Sequence, residues 1–135
     1  MNTDYLFVYG TLQQDLNNEM SQFLSQNAEV IAKGCIHGKL YIISWFPGAV
    51  LSTGTANRVY GTVFKLQHAF KTFKVLDAYE GCDLSQPNTS LFTRDITTVF
   101  LENGTSVAAW VYLYNQNVDH KIQILSGDFL KDANS

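Results

Sequence analysis

The sequence predicts an α+β domain in which about six strands curl into a small β-barrel with two flanking helices. Strands outnumber helices and are unevenly spaced among them, unlike the regular alternation of a parallel α/β sheet. The length of 135 residues fits one domain, spanning 1–135, and at that size folding buries roughly two-thirds of the unfolded chain's surface. Hydrophobic residues make up 46% of the chain and aromatics 13%, which fills such a core and favours strands.

The elements follow in order along the chain. Tyr5 to Tyr9 is a short apolar-aromatic run that stops at Gly10-Thr11-Leu12, the pattern of a buried strand entering a tight loop. Asp15 is placed to cap a polar helix from about Leu16 to Gln26, with Met20, Phe23 and Leu24 on one side. Glu29 to Ile43 is a long bent strand or a strand pair, interrupted by Gly34 and Gly38. Trp45 to Val50 contains the turn dipeptide Pro47-Gly48 in an apolar setting. Arg58 to Leu66 alternates as a strand, and Phe70 to Tyr79 is a helix. Leu91–Leu101 and Ser106–Tyr114 flank Glu102-Asn103-Gly104-Thr105, where Asn-Gly suits a hairpin turn. The tail after Asn115 is polar, with a small apolar patch at Ile122, Ile124, Leu125 and Phe129. The sequence contains no internal repeat, low-complexity tract or linker.

Composition excludes several classes. Charged residues are 16% of the chain, against roughly 25% in an ordinary soluble domain, so disorder is ruled out. Nine basic and twelve acidic residues give a net charge of −3, the wrong sign for a nucleic-acid partner. The apolar runs fall far short of the ~20 residues that span a bilayer. MNTDYLFVYG has no basic n-region, so a cytoplasmic protein with no membrane partner is expected. Cys35 and Cys82 are far apart with no CxxC, and His37, His68 and His120 lack metal-ligand spacing; no metal or other cofactor is expected. Cys82 lies two residues after Glu80, yet no activating signature surrounds it.

Two constellations carry chemistry. At ~100° per residue, Ala69, Phe73, Leu76 and Glu80 fall within about a 60° arc, so the apolar helix face ends in a carboxylate just before Gly81. The negative end of the helix dipole and desolvation both raise such a pKa, tuning it toward general acid/base work. The competing arrangement is a frayed end with Glu80 in solvent. The second constellation is Tyr9-Gly10-Thr11-Leu12, where a strand breaking at glycine offers backbone N–H groups to an anion.

VYGTL after an N-terminal apolar strand, followed by LDAYEG, resembles the γ-glutamylcyclotransferase-like superfamily, in particular its γ-glutamylamine cyclotransferase branch and small bacterial relatives. FPGAV at 46–50, VYGTVFKL at 59–66, AWVYLY at 109–114 and SGDFL at 126–130 extend the resemblance over nearly the whole chain. It implies a small mixed barrel with flanking helices and a reaction in which the α-amine of a γ-glutamyl group attacks the γ-carbonyl, forming 5-oxoproline and expelling an amine. Glu80 then corresponds to the catalytic acid/base, and Tyr9, Gly10, Thr11 and Leu12 to the loop that holds the substrate α-carboxylate. The implied partner is a small γ-glutamyl molecule, and the implied assembly a monomer or weak homodimer. Gln13 stands where relatives often carry a basic residue, Phe92 where a Tyr is common, and the stretch from Cys82 to Asn88 is long; these departures bear on specificity. Arg94 either pairs with a pocket carboxylate or forms a plain ion pair. Tyr112 and Tyr114, on one strand face with Trp110, either line the cavity or fill the barrel. A non-catalytic binder of γ-glutamyl-type molecules and a γ-glutamyl amide hydrolase are the alternative functions.

Overall fold

A computed structural model describes residues 3–10, 19–54 and 56–129. Its elements are β1 (Tyr5–Val8), α1 (Glu19–Asn27), β2 (Ala28–Ile42), β3 (Pro47–Leu51), β4 (Arg58–Leu66), α2 (Ala69–Tyr79), β5 (Phe92–Leu101), β6 (Ser106–Tyr114) and β7 (Ile122–Gln123). The strand order β2-β4-β1-β6-β5 closes on itself because β5 also pairs with β2, giving a five-stranded barrel. β1 and β6 are parallel and the other pairings antiparallel, so the barrel is mixed. β3 and β7 lie outside it, both paired with the far end of β2.

Closure is the work of β2. Gly34 lies opposite Gly61 of β4 and Leu101 of β5 at once, and Cys35 opposite Tyr60 and Phe100. No side chain fits at the two glycines. A Cβ on Gly34 would stand 2.8 Å from the Phe100 carbonyl oxygen, and one on Gly61 would run into the Val8 carbonyl. The alternative of a strand pair resolves to one 15-residue strand with an irregularity between Val30 and Ala32.

Side chains alternate across the barrel wall, as strand geometry requires. Phe7, Ile36, Val59, Val63, Val99, Ala109 and Val111 cluster in the lumen. Leu6, Val8, Phe64 and Leu66 face outward and are covered by Leu24 of α1 and Phe73 and Leu76 of α2.

Two expectations change. Pro47-Gly48 does not make a turn: Pro47–Leu51 is strand β3. Proline is tolerated because it opens the strand, and Gly48 lies so close to Tyr114 that a Cβ would sit 2.8 Å from the Tyr114 Cβ. The apolar tail patch is split, with Ile124 in the core and Phe129 against it, while Ile122 and Leu125 are exposed. Seven strands are present among the described residues, in keeping with the expectation of about six. The Asp15 cap and the start of its helix lie outside the described residues. Among the described residues, no helix is long and apolar enough to cross a membrane.

The crossing of β1 over β4 yields a test. Gly61→Ala forces the Val8 backbone aside and is expected to cost about 1–3 kcal/mol in urea unfolding. Gly54→Ala is the control, because its Cβ meets nothing closer than the Ser52 hydroxyl at 3.9 Å, and it should stay within about 0.5 kcal/mol. Equal costs would contradict the crossing.

Candidate active site

The end of α2 is fixed by its backbone. Glu80 is the C-cap with φ −84° and ψ 0°, and Gly81 takes φ +66°, the left-handed conformation that favours glycine. The Cys82 N–H reaches the Asp77 carbonyl at 2.8 Å and the Gly81 N–H the Ala78 carbonyl at 3.4 Å, the double closure of a Schellman motif. The Glu80 N–H still completes the helix to the Leu76 carbonyl at 2.9 Å. The helix therefore does not fray at Glu80, and Phe73 and Leu76 bury its inner face.

Glu80 meets the carboxyl end of β1. A small pocket of about 30 Å³ is lined by Phe7, Val8, Tyr9, Gly10, Phe46, Pro47, Glu80, Phe92 and Tyr112. Glu80 is half-buried as a residue, and burial in this largely apolar setting pushes its carboxyl up to about 7. Among the described residues its carboxylate has no hydrogen-bond partner, so nothing offsets the desolvation.

The predicted loop is partly visible. Tyr9 is buried; its hydroxyl donates to the Tyr112 carbonyl at 2.6 Å and accepts from the Ala49 N–H at 3.1 Å. Burial, reinforced by the Glu80 charge and opposed by the Ala49 hydrogen bond, holds this phenol well above its usual range. Gly10 has no positive φ. Its role is close approach, since a Cβ there would be 2.9 Å from Pro47 Cγ. Thr11, Leu12 and Gln13 lie outside the described residues.

A second carboxylate stands one turn back. Arg94 grips Asp77 with both ends of its fork, Nε to Oδ1 at 2.8 Å and Nη2 to Oδ2 at 3.1 Å, while the Tyr112 hydroxyl donates to Oδ1 at 2.7 Å. The guanidinium is packed 4.1 Å from the Phe73 ring centroid and 4.6 Å from that of Trp110, a double cation–π contact. Burial and then the bond to Asp77 raise the Tyr112 phenol well above its usual range. Burial and the nearby Asp77 charge also raise the Cys82 thiol, which disfavours the thiolate a nucleophile needs. The Glu80 carboxyl, by contrast, is poised near neutrality.

Arg94 thus pairs with a carboxylate next to the pocket rather than inside it, and Tyr112 both fills the core and forms a pocket wall. Sequence reasoning missed Asp77, although its place three residues before Glu80 puts the two on neighbouring helix positions. It also missed Phe46 and Pro47 as pocket walls. A larger concavity, about 590 Å³, opens on the far side of β2 and contains none of the expected residues. The small pocket is the better catalytic candidate because a perturbed carboxyl and the carboxyl end of β1 meet there.

A sequence profile of the family described as gamma-glutamyl cyclotransferase, AIG2-like, matches residues 6–131. The γ-glutamylcyclotransferase family protein YtfP of Escherichia coli K12 is 32% identical over 126 residues, 93% of this chain and 95% of that protein. Its solution structure superposes with a TM-score of 0.63 at 27% identity, covering 96% of this chain and 98% of the other. A mouse AIG2-like protein shares the fold with a TM-score of 0.68 at 23% identity, over 88% of this chain and 82% of its own. YkqA of Bacillus subtilis gives 0.71 at 23% identity, and this chain, matched over 97% of its length, spans 40% of that one.

The Glu80 carboxyl makes stability depend on pH. Its folded-state pKa of about 7 lies above the ordinary 4.5, so between those values the folded protein holds a proton that the unfolded chain has lost. Stability therefore falls as pH rises through that window, by up to about 1.4 kcal/mol per pH unit. Partial exposure reduces the total to about 1–3 kcal/mol. Urea unfolding at pH 5 and 8 should show Glu80→Gln losing less stability over this interval by that amount. Parallel curves would contradict the desolvated carboxyl.

Proposed function

The chain belongs to the gamma-glutamyl cyclotransferase, AIG2-like family, and from that premise we propose that it is a γ-glutamyl amine cyclotransferase. It would convert a γ-glutamyl amine or γ-glutamyl amino acid to 5-oxoproline and the free amine. The observation that carries this reading is the Glu80 carboxyl, pushed up to about 7 at the end of a helix locked by a Schellman closure. A general acid/base that must both take and return a proton works best near the ambient pH. A protein that only binds γ-glutamyl groups would gain nothing from a half-ionised carboxyl in its pocket.

In the proposed reaction the backbone of the loop from Tyr9 to Leu12 holds the substrate α-carboxylate. The Tyr9 hydroxyl is already engaged at both ends, so Tyr9 contributes through its main chain and through shaping the strand end. Glu80 takes a proton from the α-ammonium, and the freed amine attacks the γ-carbonyl. A C–N bond forms and the carbonyl becomes tetrahedral. Glu80 then delivers its proton to the departing nitrogen as the old C–N bond breaks. The α-nitrogen gives up two protons in becoming the lactam N–H; one travels through Glu80 to the leaving amine, and the second goes to solvent or protonates the released amine. No water is consumed, and holding both reacting groups in one molecule removes a large entropic barrier. The pocket, about 30 Å³, holds about one water, so substrate binding must part its walls.

Incubation with a panel of γ-glutamyl amines should yield 5-oxoproline, and release of free glutamate instead would establish a hydrolase. Glu80→Gln is expected to fold and bind but turn over at least ~10²-fold more slowly. In the unmodified enzyme kcat/KM should rise through about pH 7 as Glu80 ionises.

The loop has its own test. Amidation of the substrate α-carboxyl should cost about ten- to a hundredfold for each charged hydrogen bond lost. Gly10→Val, which must displace Pro47, should damage binding more than Thr11→Ser. Equal turnover of the amidated substrate would remove the loop from the site.

A further inference from the structure

We propose that the outer barrel face where β2 pairs with β4 and β5 together is a second ligand site, for a planar aromatic or heteroaromatic ring carrying an anionic group. Its cavity measures about 590 Å³, inside the ~300–1,000 Å³ range of small-molecule pockets. It shares no lining residue with the Glu80 pocket.

Register builds a slot there. Cys35 lies opposite Tyr60 on one neighbouring strand and Phe100 on the other. Two strand spacings put those flanking backbones about 10 Å apart, with Cys35 between them. Stacked rings sit with centroids about 4.5–7 Å apart, so one planar ring can lie between Tyr60 and Phe100 in contact with both. Both aromatics remain about 40% exposed: 41% for Tyr60 and 40% for Phe100. His37 stacks on Phe100 at 4.5 Å and 21°, so one face of that ring is already taken and a ligand meets the other.

The open cation is at one end. Arg58, paired in register with His37, lines the cavity, and among the described residues its guanidinium has no hydrogen-bond or ion-pair partner. Lys33 and Asp128 also line the cavity, but both already have partners within the protein. Glu102 lies at the opposite end, its N–H bonded to the Lys33 carbonyl. Four residues of β2 separate that point from His37, about 13 Å. Asp128 shares the Arg58 end, since Gly127 packs on the Arg58 carbonyl, and Lys33 shares the Glu102 end. With both engaged by partners, the Arg58 guanidinium is the cation left open to an anion among the described residues. Burial raises the Cys35 thiol, with the Arg58 charge acting in the opposite direction, so the floor between the rings stays uncharged.

The test is a ¹H–¹⁵N titration of the full chain with benzoate and phenyl phosphate, and with benzamide as the neutral counterpart. The expected shifts centre on Cys35, His37, Tyr60 and Phe100, with the anions binding at least tenfold tighter than benzamide. Arg58→Gln should erase that preference, Phe100→Ala should weaken all three probes, and Glu80→Gln should change none; each variant's own spectrum reports whether it is folded. Overturning results would be no shifts up to about 10 mM probe, equal binding of benzamide, or shifts confined to Tyr9, Phe46 and Phe92. Sedimentation showing a dimer that buries Tyr60 and Phe100 would likewise overturn the ligand site in favour of self-association.

Discussion

The Tyr9 hydroxyl donates a hydrogen bond to the Tyr112 carbonyl and accepts one from the Ala49 N–H, and this phenol holds the pocket in shape. Among the described residues β3 pairs with β2 alone, and the Tyr9 hydroxyl is the polar tie seen there between the segment carrying Pro47 and strands β1 and β6. With it, Pro47 is pressed against Gly10 and the small pocket takes form. The interaction is buried, where a hydrogen bond left half-made costs about 1–3 kcal/mol. Fold and site are joined at this one side chain.

Two carboxylates on the last turn of α2 show how environment separates groups of the same chemistry. Asp77 is gripped by Arg94 and Tyr112, an arrangement that stitches the helix to β5 and β6. Glu80, three residues on, points into largely apolar walls and has no such partner among the described residues. The pairing explains why the helix end stays docked, and the absence of pairing explains why the Glu80 proton is exchangeable near neutrality. Arg94 between the Phe73 and Trp110 rings lets a charged network sit beside the pocket without placing a cation inside it.

Much of this was legible in the sequence. The barrel followed from many strands and few covering helices, and the place of Glu80 on the apolar helix face was one of two arrangements that 3.6-residue periodicity before a glycine allowed. Both are local signals. What the sequence hid was non-local. The double pairing of β2 at Gly34 and Cys35 depends on partners dozens of residues away, and the Arg94–Asp77 bond spans 17 positions. Pro47-Gly48 misled because the same dipeptide that makes a turn can open a strand when a neighbour, here Tyr114, packs onto the glycine. At Gly10 the glycine answers to a partner far along the chain, the close approach of Pro47, which no local pattern announces.

The central claim is that Glu80 is a proton carrier tuned by desolvation, and a ¹³C NMR titration of its side-chain carboxyl in the substrate-free protein tests it most directly. The expected midpoint is about 7, with Glu80→Gln assigning the resonance by its disappearance. A midpoint near the ordinary 4.5 would contradict the account, because the carboxylate would then be untuned by burial and too weak a base to take the α-ammonium proton efficiently.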